Sequence, residues 1–418
     1  MSTREDLPYT AIRRLAAGTA LDQALDITDP DSWIDLDLGV RELAWQQPEL
    51  FHSKASPSGR RLSWDPDVGI PTVTWLQTPG DAETALALCH PDGRIRQAAL
   101  DHTEERPALL ALVVIRCTDW AGPVRERART LLAEAPPHQL AAHAALILRV
   151  GHRSRGDFAQ KLLTRALLEG PAAQTEALLD GDDRATARLA HRVALERRLL
   201  SAVRLAQTAA NHHDVVVQDL CAEAAVATLR EGTLDQTTEV VTPLLRARQP
   251  RVRSAGVTAL RRTGRHTDAE PYLTDRSALV RACARWVLRQ AGTDPAPLYR
   301  ALCADPTARP TAAVGLGECG VREDASRLRT LLAHPAPGVR ACAIAGLRAM
   351  DAVRVDDARP LLNDPSAAVV RQATAALLPW ADRLPQEQLC SLLAEGRPRH
   401  HRVAAIRLLR SLGVHAHI

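Results

Sequence analysis

The chain has 418 residues and a formal net charge of +4, and 46% of its residues are hydrophobic while only 3% are aromatic. That is ample apolar material for a core, and at about 150 residues per domain it would suggest three globular domains. The longest purely apolar run, 108–115, ends at Arg116 and falls far short of the ~20 residues a bilayer-spanning helix needs, so no membrane partner is expected.

In chain order, residues 1–80 hold four of the seven tryptophans, Trp33, Trp45, Trp64 and Trp75, with Phe51 and the stretch SKASPSGRRLSWDPDVGIPTVTW. An N-terminal cap is expected here, with tryptophans filling its seam, because a repeat array needs an atypical terminal unit. The alternative is an aromatic platform for a partner, since Trp is over-represented at binding hot spots. Residues 52–72 read as a loop, where function is more often found. The opening MSTREDLPYTAIRR has no apolar stretch behind its basic residues, so the cytoplasm is the expected compartment.

Residues 81–149 introduce a recurring phrase: LCHPDGRIRQAALDHT (88–103), then RCTDWAGPVRERARTLLAEA (116–135), with Arg96 and Arg125 separated by 29. Over 150–245 the phrase degenerates to apolar helical stripes near 178–200 and 220–229. It returns over 246–418 as RARQPRVRSAGVTALRRTG (246–264), YLTDRSALVRACARWVLRQAG (272–292) and LCADPTARPTAAVGLGECG (302–320), with Arg253, Arg281 and Arg309 spaced 28 and 28. Three further copies follow, LLAHPAPGVRACAIAGLRAM (331–350), LLNDPSAAVVRQATAALLPWA (361–381) and LLAEGRPRHHRVAAIRLLRSLG (392–413), with Arg340, Arg371 and Arg402 at intervals of 31. A fixed period of this size marks stacked supersecondary units, which overrides the three-domain estimate.

Each phrase has a local cause. Proline after Leu-Leu ends one helix, since it lacks an amide proton and biases the preceding residue away from helical geometry. Asp275, Asp305 and Asp364 are then placed to accept amides at the start of the next helix. Ala341, Ala343, Ala345 and Gly346 let neighbouring helices approach to about 8 Å. The pattern D-P-x-x-x-V-R-x-x-A-x-x-A-L resembles the HEAT repeat, and its short period resembles the PBS-lyase-type HEAT-like variety. The match covers 81–149 and 246–413 well and the middle weakly. This resemblance implies an all-α fold, an α-solenoid of helical hairpins, offering a superhelical surface to protein partners, to nucleic acid or occasionally to chemistry on a bound group.

Charge divides the chain. Residues 1–80 carry a balance of −5 and 81–247 of −2, while 248–418 carry +11, almost wholly arginine because Lys54 and Lys161 are the only lysines. Within that basic part Arg253 and Arg261, Arg340 and Arg348, and Arg402 and Arg410 are i, i+8 pairs, and Arg281, Arg285 and Arg289 run i, i+4, i+8. Eight residues turn a helix by only ~80° from the starting direction, so stacked helices would align these sets into a ladder able to follow phosphates or an acidic protein groove. The structural alternative ties the first arginine of each set to a turn and leaves the later ones as solvated helix ends.

Some HEAT-like solenoids resemble DNA glycosylases, and the nearest local match to such a site is Asp119 beside Trp120. Asp119 also stands where a turn aspartate belongs, so its candidacy as a catalytic residue is weak. No P-loop, nucleophile elbow, H-E-x-x-H or dinucleotide fingerprint occurs. The eight cysteines never form C-x-x-C and read as small core residues, with Cys283 and Cys342 at one repeat position. His212 with His213, His400 with His401, and His415 with His417 read as solvated helix-end histidines rather than metal ligands, so neither metal nor cofactor is expected. The expected function is a non-catalytic scaffold binding a protein partner. The alternative is a nucleic-acid-binding solenoid using the arginine ladder, with base excision as its remotest elaboration.

Overall fold

The computed structural model describes residues 7–46, 79–229 and 234–412, and among these every regular element is a helix. Trp64, Trp75, Phe51, the expected loop at 52–72, and His415 and His417 lie outside the described residues. The chain divides into two compact units, 1–200 and 201–418.

Unit 1 contains α1 (Leu7–Ala16), α2 (Leu21–Ala24), α3 (Pro30–Gln46), α4 (Asp81–Cys89), α5 (Gly93–Leu100), α6 (Leu110–Arg116), α7 (Gly122–Glu134), α8 (Pro137–Ala142), α9 (Ala144–Gly151), α10 (Asp157–Glu169), α11 (Ala172–Glu176) and α12 (Arg184–Glu196). Every residue of α6 is buried, which is why its sequence shows a continuous apolar run rather than a one-faced stripe. Helix α3 lies against α4, α6 and α9. Trp33 is buried in that seam and its indole donates to the Ile27 carbonyl at 3.0 Å, satisfying the one polar atom the ring carries inward. Trp45, at the other end of α3, is 88% exposed and fills no seam.

Unit 2 contains α13 (Ala202–Asn211), α14 (Val215–Thr228), α15 (Leu234–Arg246), α16 (Pro250–Arg262), α17 (Ala278–Gln290), α18 (Pro295–Leu302), α19 (Ala312–Cys319), α20 (Asp324–Thr330), α21 (Pro337–Ala349), α22 (Val355–Ala358), α23 (Ala367–Leu377), α24 (Gln386–Ser391) and α25 (Arg399–Ser411). The helices that follow the turns pack in succession: α14 and α17 against α16, α19 and α23 against α21, and α25 against α23. Small residues set the closest of these approaches. A Cβ on Gly317 would come within 2.1 Å of the Gly346 carbonyl, and one on Gly346 within 2.3 Å of the Ala313 carbonyl.

The turns share one chemistry. At six of them the residue two before the helix N-cap accepts the N-cap amide through its side chain: His90 from Asp92 (3.0 Å), Asp119 from Ala121 (2.9 Å), His212 from Asp214 (3.0 Å), Asp275 from Ser277 (2.7 Å), His334 from Ala336 (3.1 Å) and Asp364 from Ser366 (2.8 Å). Asp and His are therefore interchangeable here, each offering one acceptor at the right reach. Asp305 does not join them; it is exposed and accepts from the Thr307 hydroxyl at 2.8 Å, because α19 begins only at Ala312. The turn at 212–218 shows that the grammar persists where the sequence phrase degenerates, with Gln218 in the arginine position donating to the His212 carbonyl at 2.6 Å.

Candidate functional site

Four residues past the N-cap, an arginine turns back over its own turn. Arg96, Arg125, Arg253, Arg281 and Arg340 each donate Nη1 to the carbonyl six residues earlier, at 2.8–2.9 Å. Three of them also grip the turn aspartate of a later repeat with both remaining donors: Arg96 holds Asp119 at 2.9 and 2.8 Å, Arg253 holds Asp275 at 2.9 and 2.9 Å, and Arg340 holds Asp364 at 2.7 and 2.9 Å. One guanidinium thus caps a turn and ties it to a later one through a fork geometry that lysine lacks.

Several proposed partner-binding arginines are therefore already engaged. Arg253, Arg281 and Arg285 are buried, and Arg340 is committed to Asp364. Because the next helix, α19, starts late, Arg281 has no aligned aspartate and joins Arg285 on Glu318 of α19 instead; the Arg285 contact is 2.5 Å. Burial opposes ionisation of Glu318, but the two guanidinium groups outweigh it and hold the carboxyl below its ordinary value. Arg281, Arg285 and Arg289 consequently do not form one solvent face; of the three only Arg289 is exposed.

What remains exposed falls into register. Twelve residues past the N-cap, α16, α17, α21 and α25 carry the exposed Arg261, Arg289, Arg348 and Arg410, while α23 carries the exposed Leu378. Positions 2, 5, 9 and 12 past the cap lie within about 80° of one another on a helix. That face also holds Leu279 and Trp286 on α17, Arg371 on α23 and Val403 on α25, all exposed. The Arg261 guanidinium lies 5.2 Å from the Trp286 ring centroid, bringing adjacent rungs together. Arg402, although four residues past its cap, is exposed as well. Sequence reasoning missed Leu279 and Trp286; their signal is an i, i+7 apolar pair on the side of ALVRACARWVLRQ opposite its Val-Ala-Leu core stripe.

Asp119 sits in a buried cluster of arginines at the start of α7. Its two oxygens accept from Arg96, from Arg116 at 3.0 Å and from the Ala121 amide, two hydrogen bonds to each oxygen. Trp120 is 67% exposed, with the Arg96 guanidinium 5.7 Å from its ring centroid. The histidine pairs depart from expectation. His401 is buried with Nε2 2.9 Å from the Asp364 carbonyl, and His212 serves a turn. Cys89, Cys117, Cys221 and Cys303 are buried, Cys283 and Cys342 are half-buried six residues past their caps, and Cys390 is exposed. Among the described residues no three His, Cys, Asp or Glu side chains gather as metal ligands would, and no helix is long and apolar enough to cross a membrane.

No known family's sequence model matches the chain, and no curated protein matches it. Among solved structures it pairs over 97% of its length with 99% of an engineered protein from the Northeast Structural Genomics Consortium, at 16% identity and a TM-score of 0.18, a superposition too poor to carry an argument about fold or function.

Proposed function

We propose that the chain is a non-catalytic HEAT-like α-solenoid scaffold whose C-terminal unit binds an acidic, amphipathic segment of a protein partner. The observation that supports this reading is the mixed face on α16, α17, α21, α23 and α25, where exposed arginines at one repeat position border the exposed Leu279, Trp286, Leu378 and Val403. Trp and Arg are the residues most enriched at protein interfaces, and such a face combines an apolar strip for burial with charge for orientation. A pure phosphate track would leave the apolar members without a role.

The matching positions of Arg261, Arg289, Arg348 and Arg410 favour nucleic acid as the second reading, and salt separates the two. A protein partner captured by the full chain should be lost by Trp286→Ala with Leu279→Ser and weakened moderately by reversing Arg289, Arg348 and Arg410. Oligonucleotide binding that falls steeply with salt, and survives the two apolar substitutions, would replace the protein reading with the nucleic-acid one.

A further inference from the structure

Helix α3 in unit 1 carries an acidic and apolar stripe on its outer side. Asp35, Leu38, Glu42 and Trp45 fall within ~80° of one another on the helix. Leu38 is 53% exposed and Trp45 88%, Glu42 is exposed and Asp35 half-buried, while Trp33, Leu36 and Val40 on the opposite side are buried in the core. The one cation of this helix, Arg41, is engaged by Asp37 at 3.3 Å, and Glu42 accepts from the Gln46 amide at 3.1 Å. Helix α17 in unit 2 carries Leu279, Ala282, Trp286 and Arg289 at the same intervals of three, four and three residues, all of them exposed. Arg261 of α16, held 5.2 Å from the Trp286 ring centroid, adds a second cation to that stretch.

The two stripes match in one direction only. Laid antiparallel, Asp35 meets Arg289, Leu38 meets Trp286, Glu42 meets Ala282 and Trp45 meets Leu279. Laid parallel, both acids would face apolar side chains, Asp35 against Leu279 and Glu42 against Trp286. We propose that α3 of a second copy of this chain docks antiparallel on α17, joining unit 1 of one copy to unit 2 of the next. The inference rests on the reading of the unit 2 face as a site for an acidic, amphipathic segment, and names a second copy as its occupant. Residues 1–80 carry a balance of −5 and 248–418 one of +11, so opposite charge steers the two surfaces together. Because the two surfaces differ, the contact is heterologous and repeats from copy to copy. Two helices touching over about 15 Å bury less than the ~1,200 Å² at the lower end of stable interfaces, which makes the association weak and reversible.

The test is sedimentation velocity of the full chain over a rising concentration series, at low and at high salt. The wild type should pass from monomer to dimer and longer assemblies, and high salt should weaken the transition. Leu38→Ser with Trp45→Ala in one variant, and Leu279→Ser with Trp286→Ala in a second, should each remain monomeric throughout. All four side chains are exposed, so the circular dichroism of both variants should match that of the wild type. Mixed together, the two variants should form a heterodimer and nothing larger, because each keeps the surface that the other lacks. A wild type monomeric at every concentration, assembly that survives either pair of substitutions, or a mixture that stays monomeric would each overturn the proposal. With a monomeric wild type, capture of a foreign acidic protein that Leu279→Ser with Trp286→Ala abolishes would leave the partner-binding reading standing. Capture indifferent to those two substitutions would remove both.

Discussion

Arg340 and Asp364 are joined by two parallel hydrogen bonds of 2.7 and 2.9 Å across 24 residues of chain, while the remaining Arg340 nitrogen donates to the His334 and Pro335 carbonyls at 2.8 and 2.7 Å. Burial works against the Asp364 charge, but Arg340 and the Ser366 amide outweigh it and hold the carboxyl below its ordinary value. Arg340→Met strips a buried carboxylate of its partner and two carbonyls of their donor. Breaking a fully buried pair costs about 3–5 kcal/mol, and partial exposure of Arg340 places this loss nearer about 2–3 kcal/mol. Arg340→Lys should recover little of it, because an ammonium cannot reach both sites. Urea unfolding of the two variants and of the double variant with Asp364→Asn measures the coupling.

Arg348 and Arg410 provide the contrast. Both are exposed, so charge reversal at either should change stability by no more than about 0.5 kcal/mol. Arg253→Glu, by placing a carboxylate against Asp275 in a buried clasp, should destabilise by several times that amount. Denaturation midpoints of the three variants separate arginines that build the fold from those free to bind.

The glycine contact between α19 and α21 sets two effects against each other. Replacing a mid-helix glycine by alanine ordinarily stabilises by roughly 0.8–1.0 kcal/mol. At Gly317 the new Cβ would lie 2.1 Å from the Gly346 carbonyl oxygen, and backbone cannot step aside as a flexible side chain can. Overpacking costs about 1–3 kcal/mol, so Gly317→Ala and Gly346→Ala should both lower the melting temperature, with non-additive losses in the double variant.

The all-helical fold was legible in the sequence. The Pro-containing turns, and the turn-capping role of Arg96, Arg125, Arg253, Arg281 and Arg340, follow from local residue chemistry. Arg371 shows what spacing alone conceals. It stands 31 residues from Arg340 and reads as the same position, yet it is exposed and Val370 fills the buried slot four residues past the Ser366 cap. A count from the turn proline carries the signal, five residues from Pro335 to Arg340 but six from Pro365 to Arg371. One added residue rotates a side chain by ~100°, from the clasp to solvent. Arg285 was misleading for a different reason: its acceptor, Glu318, is 33 residues away in a repeat whose helix start has moved, and no local pattern announces that pairing.

His90 makes unit 1 sensitive to acid. Burial lowers its pKa to about 4, with Arg96 adding to the effect and Asp92 opposing it, and its Nδ1 must stay unprotonated to accept the Asp92 amide. The unfolded chain takes up a proton near the ordinary value of 6.5 while the folded one does not until about 4. The stabilisation is therefore complete above 6.5 and is lost as pH falls towards 4, amounting to about 3 kcal/mol at most. His90→Asn keeps an acceptor for the amide but removes the titration, so its melting temperature should fall less steeply than that of the wild type across this window.

Asp119 tests the enzymatic reading directly. A carboxylate acting on a bound base needs a free lone pair and tolerates conversion to an amide with little loss of stability, because its role begins only when substrate arrives. Here burial raises the cost of ionisation, yet the Arg96 fork, the Ala121 amide and Arg116 overcome it and keep the carboxyl below its ordinary value. Its stabilising contribution is present at neutral pH and disappears as pH falls through that lowered value. Asp119→Asn leaves Arg96 and Arg116, 0% and 1% exposed, with one carboxylate fewer between them, a loss of about 3–5 kcal/mol by analogy with other broken buried pairs. Trp120→Ala, in contrast, removes an exposed ring and should leave stability within about 0.5 kcal/mol. Limited proteolysis and thermal unfolding of both variants should therefore show unit 1 weakened only by Asp119→Asn. A stable Asp119→Asn protein that had lost base release from alkylated DNA would reverse the conclusion and return the site to catalysis.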